Sequence, residues 1–292
     1  MCYCLTKYKL LKSLKADFGV IEQKIKDVVP MYTNILSKKD SKKIAKRYVN
    51  RYESIISGDM RITSSSFIDI LTLAYNGNEL AVAIINHVKK CVEIVGAYIA
   101  SNPRFAPAYY NILKNMIMSF DVDVSSNNND FKNWISELSI FSKLCQESIE
   151  IIDIEKPLGN GRSADFSCRI LGSNELSTFD VVTYQNIDPS LHKTSESMNQ
   201  FLNKRILEKF SYKTQGIAQE DHKEFRILPI LEYKAGMEKF MYSVDSSISL
   251  PIMAYFANII DGKTEFCLMS LNDLCNELRT RTQIDKYNEK HY

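Results

Sequence analysis

Apolar residues recur every three to four positions through the first 120 residues, which is the spacing of amphipathic helices. The pattern predicts helices at about residues 5–21, 40–56, 64–75, 78–100 and 107–120. The serines at 64–66 and Asn78 can cap two of them, because their short polar side chains accept the free amide hydrogens of a first turn. Pro103 cannot continue the fourth helix. The sequence therefore predicts an all-helical N-terminal domain.

A polar segment with the sequence DVDVSSNNND, at residues 121–130, interrupts this pattern. Clusters of Asp, Ser and Asn between periodic segments are typical of loops. A chain of 292 residues is also long enough for two domains. We therefore expect a basic helical domain at residues 1–124 and a second domain at residues 125–292.

After the polar segment, helical and strand periodicities alternate. The pattern predicts a helix at 131–146, strands at 149–154, 164–170 and 179–184, a helix at 195–213 and a strand at 225–233. Pro229 predicts an edge position or a bulge for the last strand, since proline donates no ladder hydrogen bond. Two apolar runs, 248–260 and 266–278, are interpreted as partly helical. The second half is thus predicted to be a mixed α and β domain.

The net charge of +2 conceals an uneven distribution. Up to Phe120 there are 18 Lys and Arg against 9 Asp and Glu, and beyond it there are 19 against 26. A basic half favours contact with the phosphates of DNA or RNA, or with an acidic protein partner. The alternative is that these lysines form solvated helix faces or face the acidic half of the same chain.

Membrane and secretory signals are not recognisable in the sequence. The longest apolar candidate, residues 80–100, is interrupted by Lys89, Lys90 and Glu93 before it reaches the ~18 residues of a membrane span. The seven cysteines include a Cys2 and Cys4 pair, but no second pair with zinc-ligand spacing follows it. We expect an intracellular, cytoplasmic protein with reduced thiols and no membrane contact.

Three short motifs accompany the predicted order of helix, three strands, helix and strand. The first helix contains WxxEL, formed by Trp134, Glu137 and Leu138; the second strand contains Ala-Asp-Phe at 164–166, and the third contains Asp-Val-Val at 180–182. This arrangement resembles the PD-(D/E)xK nuclease superfamily, which includes restriction endonucleases and Holliday-junction resolvases. The resemblance covers about a third of the chain. It implies an α+β/α/β protein with a restriction-endonuclease-like αβββαβ core and a mixed central sheet.

Phosphodiester hydrolysis of this kind uses a divalent ion that polarises the phosphate and activates a bound water. Mg²⁺ is usually held by one or two carboxylates together with waters, and Mn²⁺ takes similar oxygen ligands. Asp165 and Asp180 are each the lone acid of a largely apolar strand, so we expect them to bind the metal. Glu137 on the preceding helix is expected to assist.

The superfamily pattern places a lysine two residues after the strand acid, where this chain has Val182. Valine can neither hold the attacking water nor neutralise the developing charge. A basic residue of the next helix can replace the lysine, and Lys204, Arg205 and Lys209 are candidates. Alternatively, Gln185 orients the water from the end of the strand. The third interpretation is an inactive site whose fold is retained for binding.

Each candidate also has a purely structural explanation. Glu137 fits a surface helix position, and Asp165 can pair with Arg162 or Arg169. The basic residues of the second helix fit a solvated face. Asp180 is the hardest to explain in this way, because an unpaired charge in a buried strand is unfavourable.

Two functional hypotheses follow. The first is a Mg²⁺- or Mn²⁺-dependent nuclease acting on DNA or RNA, with Glu137, Asp165, Asp180, Gln185 and Lys204 as its catalytic residues. The second is a catalytically inactive, nuclease-like protein that serves as a binding or scaffold module for protein or nucleic acid. Val182 leaves open whether the chain is an enzyme.

Overall fold

The computed structural model describes residues 18–57, 66–119, 130–172, 175–185, 187–218, 224–260 and 263–291. Most of the first predicted helix, the Cys2 and Cys4 pair, and most of the polar segment lie outside the described residues. The domain boundary predicted between residues 124 and 125 also lies outside them and stays a prediction.

Helices make up the described chain as far as Gln146. They are α1 (Phe18–Val28), α2 (Tyr32–Ile35), α3 (Lys38–Ser57), α4 (Phe67–Tyr75), α5 (Glu79–Ser101), α6 (Ala106–Met118) and α7 (Asp130–Gln146). Ser66 caps α4 by accepting a hydrogen bond from the Asp69 amide at 3.1 Å, and Asn78 caps α5 through the Ala81 amide at 2.9 Å. The predicted N-terminal helical region and these two caps are confirmed.

Strands dominate the chain after α7. They are β1 (Ile149–Pro157), β2 (Ser163–Ile170), β3 (Leu176–Tyr184), β4 (Phe225–Glu232), β5 (Met253–Ile260) and β6 (Lys263–Ser270). Helix α8 (Ser195–Thr214) lies between β3 and β4 in the sequence, and α9 (Leu271–His291) follows β6. The predicted α+β class is confirmed in the described part of the chain.

The described strands form one mixed sheet in the order β1-β2-β3-β4-β5-β6. Strands β1, β2 and β3 pair antiparallel, and β3, β4 and β5 pair parallel. A parallel pair needs a long crossover connection, which α8 supplies between β3 and β4. The change from antiparallel to parallel pairing occurs at β3, the strand that carries Asp180.

The helical interpretation of residues 248–260 was wrong, because β5 occupies Met253–Ile260. The second run, 266–278, is divided between β6 and the start of α9. A short apolar run does not by itself distinguish a buried strand from a helix. Here the open edge of β4 decides the outcome, since its residues Ile230–Glu232 pair with β5.

The edge position predicted from Pro229 was also wrong, because β4 has a partner on each side. On the β5 side, Ile227 bonds to Ile248 and Leu250, and Tyr233 bonds to Tyr255. Pro229 falls between these two sets of hydrogen bonds. Its missing amide hydrogen therefore coincides with an interruption of the pairing.

The described residues divide into two compact units. The first comprises residues 18–147 and 257–266, and the second comprises 148–256 and 267–291. Helix α7 packs with α5 and α6 in the first unit. The buried hydroxyl of Tyr109 on α6 donates to Val92 O at 2.9 Å, and its ring meets Phe141 of α7 edge-on at 6.2 Å. The helix bearing the WxxEL motif is therefore part of the helical core.

The core of the second unit lies against α8. Met198, Leu202 and Ile206 of this helix are fully buried, and they share one apolar cluster with β3 and β4 residues such as Tyr184 and Ile227. Burying such side chains stabilises a fold by about 1.5–3 kcal/mol each. This packing fixes α8 against the sheet and determines where its polar residues lie.

Candidate active site

Asp165 and Asp180 lie together where the ladder between β2 and β3 ends. The last pair of that ladder is Phe166 with Phe179; Asp165 immediately precedes Phe166 on β2, and Asp180 immediately follows Phe179 on β3. The Asp165 carboxylate accepts a hydrogen bond from the Val181 amide at 2.7 Å. The two carboxyl groups are also within hydrogen-bonding reach of each other. The structure thus brings both predicted strand acids into one cluster.

Two lysines of α8 neutralise this cluster. Lys213 Nζ lies 2.6 Å from Asp180 Oδ1, and Lys209 Nζ lies 3.4 Å from Asp180 Oδ2. Asp180 is buried, with 2% of its side chain exposed, whereas Lys213 exposes 13% and Lys209 exposes 37%. Lys213 is therefore the buried partner of Asp180, and the more exposed Lys209 is the weaker one. The Lys213 ammonium also donates to Ser163 O at 2.7 Å.

The electrostatics of the pair follow from burial. Burial raises the pKa of the Asp165 carboxyl well above its usual range, and the adjacent Asp180 carboxylate raises it further. The Lys213 ammonium and the Val181 amide hydrogen act in the opposite direction. Two neighbouring carboxylates in a site shielded from water favour a state in which a cation or a shared proton offsets their charge. The Asp165 and Asp180 pair is therefore built to hold positive charge.

Polar side chains continue along the sheet beside the pair. Ser167 of β2 and Thr178 of β3 are buried, and their hydroxyl oxygens lie 3.1 Å apart. Lys156 of β1 donates to Thr178 Oγ1 at 3.4 Å. Between Ile154 and Lys156, Glu155 has φ +57°, a left-handed backbone conformation that is unfavourable for a residue with a Cβ. The polar cluster thus lies next to an irregular part of β1.

Two of the remaining predicted site residues, Gln185 and Lys204, lie away from this cluster. Glu137 is half-buried on α7 and belongs to the first unit, whereas both aspartates belong to the second. Gln185 directly follows β3, five residues beyond Asp180, which is roughly 16 Å at the rise of a strand. Lys204 is exposed on α8, nine residues before Lys213 and roughly 13 Å from it along the helix axis. Val182 packs against the apolar cluster under α8.

Lys213 is the site residue that the sequence reasoning missed. The buried stripe of α8 runs through Met198, Leu202 and Ile206 at intervals of four. Because an α-helix has 3.6 residues per turn, this face continues through Lys209, three residues after Ile206, and Lys213, four residues later, at positions where apolar residues are expected. A lysine in an apolar stripe is the signal that identifies this residue from sequence.

Asp165 and Asp180 match the donor set that Mg²⁺ prefers, which is one or two carboxylates with the other positions left to water. Among the described residues, no group of three or more His, Cys, Asp or Glu side chains converges on a possible metal position. The fit therefore rests on two carboxylates in contact, and Asp180 has two ammonium groups as its present partners.

Comparison with protein-family models, curated proteins and solved structures gives no significant match to this chain. Within the described residues, none of the helices combines the length and apolar character that crossing a membrane requires.

Proposed function

We propose that this protein is a metal-dependent phosphodiesterase of the PD-(D/E)xK kind. In it, a lysine of α8 takes the place of the catalytic lysine that the superfamily pattern puts on β3. The observation that carries the proposal is the cluster of Asp165, Asp180 and Lys213 at the end of the β2–β3 ladder. The order α7, β1, β2, β3, α8, β4 agrees with the αβββαβ pattern that the sequence resembles. In this proposal, residues from two strands and a helix would supply the acid, acid and lysine of the superfamily pattern.

Each residue has a distinct part in the proposed reaction. Asp165 and Asp180 would hold Mg²⁺ or Mn²⁺, which supplies charge neutralisation at the phosphate and a more acidic water. Lys213 already contacts Asp180, so its ammonium stands next to the position where negative charge develops. A fixed ammonium in a partly buried site stabilises such charge more than it does in water. Lys213 would thereby take the part that Val182 cannot.

The basic face of α3 supports a nucleic-acid substrate. Lys39, Lys42, Lys43 and Lys46 are exposed at helical spacing, while Ile44 and Tyr48 on the same helix are buried. Lysines at i, i+3, i+4 and i+7 form one stripe along a helix. Such a stripe binds a phosphate backbone without reading its sequence. We propose that it holds DNA or RNA, and an acidic protein is the alternative partner.

A cleavage assay with Mg²⁺ and Mn²⁺ tests the catalytic part on single-stranded and double-stranded DNA and RNA. We expect Asp180→Asn to abolish cleavage, and Lys213→Met to lower its rate about 10²–10³-fold, as removal of one charge-stabilising group typically does. Asp285→Asn and Lys193→Met, which change exposed residues of the same kinds, serve as controls. Absence of cleavage of every substrate, with no Mn²⁺ binding by calorimetry, would contradict the proposal.

The salt dependence of binding tests the nucleic-acid part separately. Replacing the four stripe lysines with Gln is expected to reduce the slope of log K against log salt by about 3–4, since each phosphate contact contributes about 0.9. Replacing Lys24 and Lys26 is expected to change it little, because each already pairs with an acid on its own helix. Equal effects of the two sets would argue against a stripe that binds phosphates.

A second candidate function is a catalytically inactive, nuclease-like binding protein. It is favoured by the state of Asp180, whose two carboxylate oxygens face Lys213 and Lys209. In this case the lysines are permanent counter-ions rather than catalytic groups. Mn²⁺ binding separates the candidates, because the inactive protein is expected to bind no Mn²⁺ while retaining salt-sensitive binding of nucleic acid.

A further inference from the structure

The turn between β1 and β2 is hydrogen-bonded to the end of α8 that carries Lys213. The side-chain amide of Asn160 donates to Lys213 O and to Gln215 O, each at 2.8 Å. These carbonyls belong to the last turn of α8 and its C-cap, where a helix has no acceptor partners of its own. One side chain of the turn thus satisfies two of the orphan carbonyls, one of which belongs to Lys213 itself.

The turn is shaped so that Asn160 reaches this position. Gly159 and Gly161 on either side of it have φ +78° and +79°, which glycine adopts without strain. Asn160 Oδ1 accepts from the Arg162 amide at 3.1 Å, which closes the turn around the side chain. Both halves of the Asn160 amide group are therefore in use, the oxygen within the turn and the nitrogen on the helix.

The segment formed by the turn and the first residue of β2 also contacts the side-chain ammonium of Lys213. Ser163, the first residue of β2, accepts the hydrogen bond from the Lys213 ammonium. Arg162 lies over the ring of Tyr212 at 4.0 Å, and its guanidinium donates to the Gln215 side chain at 3.3 Å. Residues 160–163 thus contact the backbone, the neighbours and the ammonium of Lys213. A long lysine side chain loses much rotamer entropy when it is fixed, so a dedicated support is needed.

We infer that Asn160 is the positioning residue of the site: it fixes the end of α8 so that the Lys213 ammonium stays against Asp180. Asn160 itself does not touch the reacting groups and acts only through Lys213. The catalytic consequence of this inference rests on the proposed function, whereas the positioning itself does not. It also gives the LGNG turn at 158–161 a role that the superfamily resemblance did not provide.

The chain offers a closely matched control in Asn203. Its amide nitrogen also donates to two backbone carbonyls, Asn199 O at 2.9 Å and Ser243 O at 3.1 Å. Its oxygen also accepts from one backbone amide, that of Asp245 at 3.1 Å. Asn203 lies on α8 as well, but ten residues from Lys213, or about 15 Å along the axis. Equivalent changes at the two asparagines therefore separate local positioning from a general loosening of α8.

The test measures how fast the Lys213 amine reacts in the full-length protein. A short pulse of acetic anhydride is applied to wild type, Asn160→Asp, Asn160→Ala, Asn203→Asp and Asn203→Ala, and acetylation is quantified by mass spectrometry relative to exposed Lys193. The Asp variants keep an oxygen acceptor for the Arg162 amide but replace the donor with a charged carboxylate, whereas the Ala variants remove the donor without adding charge. Loss of two hydrogen bonds is expected to raise the Lys213 labelling rate roughly tenfold. The Asn203 variants are expected to leave it unchanged.

Equal Lys213 labelling in the Asn160 and Asn203 variants, whether raised in both or unchanged in both, overturns the inference. Where the wild type cleaves a substrate, the Asn160 variants are expected to lower kcat and leave KM unchanged. A wild type that cleaves nothing removes the proposed function, but the labelling comparison still decides whether Asn160 positions Lys213.

Discussion

A buried aspartate occurs in each of the two units, and the two differ in how their charge is stabilised. Asp69 of the helical unit is 5% exposed and lies in the first turn of α4, where its amide bonds to the Ser66 cap. The positive end of a helix stabilises an acid at this position. Asp180 of the sheet unit is 1% exposed, lies within β3 and relies on lysines of α8. The counter-charge of Asp180 therefore comes from a different element of the fold, about 30 residues further along the chain.

Two partly buried titratable groups, one in each unit, also respond to pH in opposite directions. Burial lowers the pKa of His87 in the helical unit to about 4, whereas burial raises the pKa of Asp165 in the sheet unit. Both groups favour their neutral form, because both lie in surroundings that disfavour charge. Acidification therefore lowers the stability of the folded state through His87 and raises it through Asp165.

The largest expected effect comes from breaking the ion pair of the sheet unit. Asp180→Ala leaves Lys213 buried without its partner, which typically costs about 3–5 kcal/mol in the free energy of unfolding. Asp69→Ala in the helical unit is expected to cost only about 1 kcal/mol. Urea denaturation measures both. In the Asp180→Ala Lys213→Ala double variant the loss should be smaller than the sum of the single losses, and strict additivity would argue against a coupled pair.

The next effect is an acid-induced loss of stability that depends on His87. The folded-state pKa of about 4 lies below the ordinary value of 6.5, so the unfolded chain binds the proton more readily. The stabilising contribution is complete above pH 6.5 and is lost as the pH falls towards 4, by roughly 3 kcal/mol in all. His87→Gln should remove this decrease from the plot of unfolding free energy, measured by urea denaturation, against pH. His192→Gln should preserve it, and a profile that is unchanged in the His87 variant contradicts the expectation.

An effect of opposite sign is expected at Asp165, whose pKa is raised by burial although Lys213 and the Val181 amide act against the shift. Since its folded-state pKa is raised, its contribution is complete below the unfolded pKa of about 4 and is lost as the pH rises. Asp165→Asn should therefore match wild type at low pH and become relatively more stable towards neutral pH. The measurement is the difference in unfolding free energy between the two proteins across pH 3–8. Parallel profiles would show that Asp165 is not perturbed.

The smallest effect concerns the helical unit alone. Ser66→Ala removes the cap of α4, which typically costs about 1 kcal/mol. Thermal unfolding measures this loss, and Ser66→Asp should restore most of it because aspartate caps equally well. A Ser66→Ala variant as stable as wild type would mean that the Asp69 amide finds another acceptor.

The sequence predicted most of the elements because their signals are local. Amphipathic spacing and the Asn78 cap located α5, alternation located β2, and a run that is apolar on both faces located β3. The signal failed at β5 and at Pro229, where pairing partners far along the chain decide the conformation. A strand without a strong local pattern is determined by the neighbouring strand with which it pairs. That neighbour lies outside the local segment, so the local sequence alone does not reveal the strand.

The candidate site, like the fold, was predicted only in part from the sequence. The sequence by itself singled out Asp165 and Asp180, because a lone acid in an apolar strand is conspicuous and unfavourable without a partner. Only the tertiary structure decided which cations meet Asp180: Lys213, with the predicted candidate Lys209 as the weaker partner, rather than Lys204 or a residue two positions after Asp180. The physical reason is that α8 is fixed by its apolar stripe against the sheet and by Asn160 at its end. These are contacts between segments far apart in the chain, and they determine which lysine reaches Asp180.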